Sequence, residues 1–321
     1  MAKPGGLGDY ISHLDQVSSG AIIPRAGGAS LEPFEFVSPS SIDEAVKIMA
    51  SNGNKARIIA GGTDMLVQMR AGRRTAPLVV DIKGIPELTS FSYDASKGLT
   101  LGAAVPLYQI YQDKNLASVY PGLIDSASLI GGIQIQGRAS IGGNLCNAAP
   151  SGDAIPAVIA LGGICNIAGP NGTRDLPAED FCTAPGQNAL ADGEILVSIT
   201  IPAPQANSGA KYLRFIPRNE MDIAVAGVGS GVQLDASGQN FVSARIALAS
   251  VGPTPIFAKE AGESLAGKAV SDDAIQAASE LAMNAASPIT DMRGTIRQRT
   301  HLVGVLTRRT LNSAIERARG G

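Results

Sequence analysis

Two stretches decide the reading of this chain: Ile59-Ala60-Gly61-Gly62-Thr63-Asp64-Met65-Leu66 and Ser140-Ile141-Gly142-Gly143-Asn144-Leu145-Cys146-Asn147. Each has an apolar lead-in, a glycine pair and then a short polar side chain, and both are read as turns ending strands. Glycine permits positive φ and lets successive N–H groups converge on one concavity, where a bulky ligand can approach the backbone. Thr63, Ser140 and Asn144 add side-chain donors. Neither loop holds Lys or Arg, so a phosphate here would meet amide dipoles rather than ion pairs. That suits a diphosphate held permanently better than a triphosphate being transferred. Downstream, Ala148-Ala149-Pro150-Ser151-Gly152-Asp153 ends in a carboxylate. A phosphate would repel it, so Asp153 should face the hydroxyls of a ribose or ribityl chain, and Asp64 follows the same logic. The pairs Gly27-Gly28, Gly131-Gly132 and Gly162-Gly163 read as ordinary turns. No G-x-G-x-x-G follows the first strand, and no Walker G-x-x-x-x-G-K-[ST] is present.

The rest of the composition narrows the classes. A length of 321 residues allows two or three domains, and 45% hydrophobic against 17% charged residues supports a sizeable core. The net charge of -2 and the lack of a basic block with stackable aromatics argue against nucleic acid. Three cysteines, Cys146, Cys165 and Cys182, make neither a C-x-x-C unit nor the four thiolates of an iron–sulfur cluster. They read as small buried hydrophobes in a reducing cytoplasm. The two histidines, His13 and His301, stand beside no usable nucleophile and in no ligand-spaced cluster, so neither a catalytic residue nor a metal ligand is assigned. The N-terminal sixteen residues lack an apolar run, and the charge-free stretch 154–173 is broken by Pro and Gly, so no signal peptide or membrane span is expected.

Along the chain, residues 1–33 read as an N-terminal extension. Residues 34–87 alternate β-α-β: a capping box at Ser41–Glu44 opens a helix with Ala45, Val46, Ile48 and Met49 on its apolar face, and strands follow at 57–60 and 78–82. Residues 88–207 read mostly as short strands and turns, clearest at 99–103 and 196–201, with one helix at 123–130. Residues 208–321 begin with three antiparallel strands at 212–216, 223–232 and 241–251, with a tight turn at Asp235–Gly238. Two helices follow. The first carries the stripe Ile275, Ala278, Leu281, Ala282 and Ala285 and ends at Ser287-Pro288; the second runs through Ile296, Val303, Leu306 and Leu311.

AGGTDMLVQMR, then GRASIGGNLCNAAPSGD, then HLVGVLTRRTL resemble, in order, the FAD-binding medium subunit of the xanthine dehydrogenase / carbon monoxide dehydrogenase family of molybdenum hydroxylases. The resemblance runs from about Phe34 to the end. It implies an α+β, PCMH-type FAD-binding fold: two α/β subdomains, the second β-rich, and a C-terminal three-stranded antiparallel sheet plus helices. By motif, Ile59, Ala60, Gly61, Gly62, Thr63, Asp64 and Met65 would grip the FAD diphosphate and ribityl from one side. Ser140, Ile141, Gly142, Gly143 and Asn144 would grip them from the other. Asp153 would bind cofactor hydroxyls, and Met221 and Asp222 would lie near the isoalloxazine ring. Arg25–Ser30 mimics a first FAD loop but precedes the Phe34–Ala45 lead-in, so it is read as coincidence. The family further implies non-covalent FAD, molybdopterin and [2Fe-2S] clusters only on partner subunits, and a dimer of heterotrimers with a small [2Fe-2S] and a large molybdopterin subunit. Two alternatives stay open from the sequence: a stand-alone PCMH-type flavin oxidoreductase with its own substrate pocket, and an assembly module without flavin.

Overall fold

The computed structural model describes residues 31–320. His13 and the Arg25–Ser30 stretch lie outside the described residues. The first helix, Ile42–Asn52, starts where its capping residues direct. Ser41 Oγ accepts the Glu44 N–H at 3.2 Å, and the Glu44 carboxylate accepts the Ser40 N–H at 2.8 Å, one residue earlier than in the usual capping box. The strands Glu35–Val37, Ala56–Ile59 and Leu78–Asp81 form a parallel sheet with Leu78–Asp81 in the centre. Val79 and Val80 are buried there because a central parallel strand is covered on both faces.

A five-stranded antiparallel sheet follows, in the order Phe91–Asp94, Gly98–Gly102, Ile195–Ile201, Ile164–Gly169, Gly172–Pro177. The two strands that read most clearly in the sequence are neighbours in it, with Leu101 opposite Ile199. Between Gly102 and Ile164, however, the chain is helical rather than made of strands and turns. Short helices occupy Leu107–Gln112, Lys114–Val119, Pro121–Ala127, Ile133–Gln136, Ile141–Asn147 and Ala154–Ala160. The helix expected at 123–130 starts and ends earlier, with Pro121 at its first position. Helices of four to seven residues hold too few turns to show a period, and they persist here through tertiary burial. Leu107, Ile110, Leu116, Tyr120, Leu123, Leu145, Ile155 and Val158 all enter the same core.

The C-terminal sheet has the three expected strands, Ser208–Phe215, Ala226–Leu234 and Phe241–Ala249, plus a two-residue fourth, Ile256–Phe257. The second strand begins at Ala226 rather than Ile223. At the hairpin, Asp235 Oδ1 accepts the N–H groups of Gln239 and Asn240 and the Ser237 hydroxyl. The helices Asp272–Ala285 and Ile296–Ala318 cover one face of the sheet. Ser230 and Thr310 share a buried hydroxyl hydrogen bond of 2.7 Å there. The other face takes the helix Ala154–Ala160, every residue of which is buried. Gly229 and Gly231 make this close approach possible, since a Cβ on either would lie 2.5 Å from the carbonyl oxygen of Pro156 or Ala160. The strand therefore alternates glycine toward one helix with Val228, Ser230 and Val232 toward the other layer.

Candidate functional site

The two glycine loops meet. A Cβ on Gly61 would lie 2.0 Å from the Arg138 carbonyl oxygen, so the first loop rests directly on the backbone that leads into the second. Arg138 Nε donates to the Gly61 carbonyl at 3.1 Å, and Gln68 Nε2 donates to Asn147 Oδ1 at 2.9 Å. The first loop leaves the strand Ala56–Ile59 and enters the helix Met65–Arg70, as expected. Gly62 makes the turn with φ +74. The second loop is not the end of a strand. Ser140 is an N-cap, its Oγ accepting the Gly143 N–H at 3.0 Å, and Ile141–Asn147 is a helix. Ser140 before a glycine pair was the available signal for this start.

Between the loops runs a cleft of about 350 Å³, within the ~300–1,000 Å³ range of cofactor sites. Ile59 to Met65 line it from one side and Ser140, Gly142, Gly143 and Asn144 from the other. Ile141 does not; it is buried in the core behind them. Among the described residues, no acceptor pairs with the backbone N–H groups of Gly61, Gly62, Thr63, Asp64 or Met65, nor with that of Gly142, whereas the Ile141 N–H faces Val105 in the bridge between Pro106 and Ser140. Unpartnered main-chain donors on both walls are what a bound anion would satisfy. Gly143 keeps the passage open, because a Cβ there would meet nothing nearer than Ser140 Oγ at 3.0 Å and would project as added bulk on the cleft wall. The residues present therefore fit an elongated, diphosphate-bridged cofactor.

Several contributors escaped the sequence reading. Arg57 and Arg74 also line the cleft, so cations are present although the loops themselves carry none. Arg57 follows the first residue of the strand that feeds the loop, and a basic residue on that strand was the only local hint. A third wall comes from Asn188 to Glu194, where Arg174 grips Glu194 through two contacts of 2.7 Å. Hydrogen bonding from Arg174, against some desolvation and with help from the Ala191 N–H, holds the Glu194 carboxyl below its ordinary range. Asp64 is exposed at the cleft edge, where desolvation raises its pKa and Arg74 opposes the rise. Cys146 lines the cleft as a neutral thiol, its pKa pushed up to about 12 by burial. Among the described residues, no three His, Cys, Asp or Glu side chains are grouped to hold a metal ion.

Besides Ile141, three expected site residues stand apart from the cleft lining. Asp153 is buried, and both its oxygens are engaged inside the protein: Tyr212 Oη donates at 2.6 Å and Arg214 Nη1 at 2.5 Å. Burial raises the Asp153 pKa, with the Arg214 charge the first of the effects opposing it. Through these contacts the carboxylate braces the start of the helix Ala154–Ala160 against the C-terminal sheet. The next residue is tied to the cleft wall: Asn144 Oδ1 accepts the Ala154 N–H at 3.2 Å. Asp222 pairs with Arg293 at 2.9 Å and Arg218 at 3.4 Å. Desolvation works to raise its pKa, but the Ile223 N–H and the two arginines hold it below the carboxylate range. Met221 is exposed at φ +52 beside Gly132, two residues from the cleft-lining Ile130. His301 is exposed on the last helix and does not line the cleft.

A strand-to-helix glycine turn on one side and a serine-capped helix on the other thus bound one cleft, and its free main-chain donors suit an elongated anionic ligand of the dinucleotide class. Residues 32–204 match the family described as the FAD binding domain in molybdopterin dehydrogenase, and residues 211–314 match the CO dehydrogenase flavoprotein C-terminal domain. The chain is 30% identical to the xanthine dehydrogenase FAD-binding subunit of Escherichia coli O157:H7, over 89% of this chain and 99% of that one. It is 32% identical to the carbon monoxide dehydrogenase medium chain of Hydrogenophaga pseudoflava, over 88% and 96%. Its fold superposes on reconstituted CO dehydrogenase from Oligotropha carboxidovorans with a TM-score of 0.85, at 30% identity, over 90% and 99% of the two chains. The chain belongs to the family of FAD-binding subunits of the xanthine dehydrogenase and carbon monoxide dehydrogenase type, with the PCMH-type fold that the three motifs imply. It is thus an oxidoreductase component built to bind FAD. Among the described residues, no helix is long and apolar enough to cross a membrane.

Proposed function

We propose that this chain is the electron-output subunit of a heteromeric molybdenum hydroxylase. Electrons would pass from [2Fe-2S] clusters on a small partner subunit, through FAD held here, to a final acceptor, while substrate is hydroxylated on a large molybdopterin subunit. The observation that carries this reading is the pair of facing loops with unpartnered N–H groups on both walls. In this reading the amides of Gly61–Met65 and of Gly142 hold the diphosphate. Thr63 and Asn144 line the same cleft, and their hydroxyl and Nδ2 groups would donate to the linked sugar-like portions. Arg57 and Arg74 add charge at the same cleft. The flavin supplies one- and two-electron redox chemistry, and the chain supplies position and water exclusion. Non-covalent binding belongs to the same reading, and among the described residues His301 does not line the cleft. The set of partners, the dimer of heterotrimers, the cytoplasmic setting and the division into 34–87, 88–207 and 208–321 belong to the same proposal.

The test is direct. The isolated chain should purify yellow, release all its flavin on acid precipitation, and show no substrate hydroxylation alone. Tagged chain from its own cells should bring down two partners together with iron and molybdenum. Hydroxylase turnover by the chain alone, or a colourless chain that takes up no FAD, would overturn the reading.

A further inference from the structure

The first glycine loop presents a puzzle of charge. Its N–H groups have no partners, yet the loop itself contains no cation to favour an anion. Two exposed cations sit behind it instead. Lys83 Nζ donates to the Ala60 carbonyl oxygen at 3.1 Å, and Arg138 Nε donates to the Gly61 carbonyl oxygen at 3.1 Å. Lys83 is itself held by Asp81 at 2.5 Å, on the turn that follows the central strand. In a trans peptide, the carbonyl of one residue and the N–H of the next point in opposite directions. Cations that capture the carbonyls of Ala60 and Gly61 therefore turn the N–H groups of Gly61 and Gly62 away from themselves. Those are two of the donors left without partners, on residues that line the cleft. Arg138 also belongs to the run that enters the second loop, and its own carbonyl oxygen is pressed against Gly61.

Resting on the FAD reading above, we propose that Lys83 and Arg138 are positioning residues. They fix two consecutive peptide planes of the first loop so that its amides face the cofactor diphosphate, and Arg138 locks that orientation to the second loop. The positive ends of the two peptide dipoles point into the cleft while the charges stay outside it. The chain thereby favours a diphosphate without placing a cation beside the cofactor from within the loop. Neither side chain needs to touch the cofactor.

The experiment uses the full chain stripped of flavin. Binding of FAD is followed by flavin fluorescence, with ADP as a diphosphate probe and riboflavin as a probe without one, at low and high salt. Arg138→Met should weaken FAD and ADP about tenfold, on the scale of one charge-assisted hydrogen bond, and Lys83→Met by several-fold. Riboflavin binding should hold, Arg138→Lys should restore part of the loss, and the salt dependence of ADP binding should flatten in the double variant. Unchanged ADP affinity in both single variants would overturn the proposal. Equal losses for riboflavin and ADP would also overturn it, by showing that the loop had merely collapsed. If Arg138→Met does not fold, the ADP-to-riboflavin ratio of Lys83→Met decides. Wild-type chain that binds neither FAD nor ADP would instead remove the cofactor reading itself.

Discussion

Gly62 and Gly143 occupy matching places in the two loops, yet they are glycine for different reasons. At Gly62 the backbone lies at φ +74, and a Cβ would sit 2.9 Å from Ile59 Cδ1. Gly62→Val should therefore lower both stability and flavin content, with about 1–2 kcal/mol from the left-handed backbone alone. Gly143 is helical with ordinary φ, and an added Cβ meets only Ser140 Oγ. Gly143→Val should leave the thermal midpoint of the apo chain within a few degrees and still abolish flavin retention, because the bulk enters the cleft. Parallel melting curves and flavin absorbance separate the two outcomes. Asp153 makes a different case. Asp153→Ala would leave Tyr212 and the buried Arg214, whose Nε already lacks a partner, without their carboxylate. Breaking one side of a buried pair costs about 3–5 kcal/mol, far more than one lost cofactor hydrogen bond. Chemical denaturation of the apo chain should register the whole loss before any flavin is added.

The element that most constrains the architecture is the strand Ala226–Leu234, whose glycines admit the helix Ala154–Ala160. That helix starts beside Asp153 and is capped by the cleft residue Asn144, so its seat on the sheet also sets the second loop. Gly229→Val would press on the Pro156 carbonyl and should cost about 1–3 kcal/mol, read as a lower denaturant midpoint. The wall Asn188–Glu194 has a pH dependence with a definite sign. The folded pKa of Glu194 is depressed, so its contribution is complete above the unfolded carboxylate value of about 4.3 and is lost as pH falls through the lower folded value. Wild-type chain should thus lose thermal stability below about pH 4 more steeply than Glu194→Gln, measured by melting across an acid series.

At the scale of the molecule, the C-terminal sheet works as a backing plate for the cofactor half. Arg317 at the end of the long last helix reaches Asp125 at 2.6 Å, Arg245 reaches Glu179 at 2.7 Å, and the Ser250 N–H reaches the Pro150 carbonyl at 2.8 Å. These ties join residues far apart in the chain, two in different short helices and one in a turn of the middle region. The loop 216–225 is held likewise, by Asp222 on Arg293 and by Arg299 on the Val225 carbonyl. Removing residues 208–320 should therefore give no flavin-binding fragment from residues 31–207. Expression of that fragment with an assay for soluble, FAD-binding protein tests this, and a well-folded yellow fragment would contradict it.

Much of this protein was already present in local sequence. The Ser41–Glu44 cap, the turn at Asp235 and the three long C-terminal strands are short-range features, and the two glycine loops taken together, rather than any one pair, marked the cleft. The order of the three motifs carried the family, and with it FAD. The tertiary structure alone decided the rest. Six short helices between 107 and 160 exist because their apolar residues share one core, not because their own sequences propagate a helix. Asp153 became a strut because Tyr212 and Arg214, from a strand beyond the middle sheet, reached it inside the protein. Arg57, Arg74 and the turn at Asp192 gathered on the cleft from separate elements. Hydrogen bonds and burial between distant residues depend on where the chain returns in space, and no window of neighbouring residues contains that information.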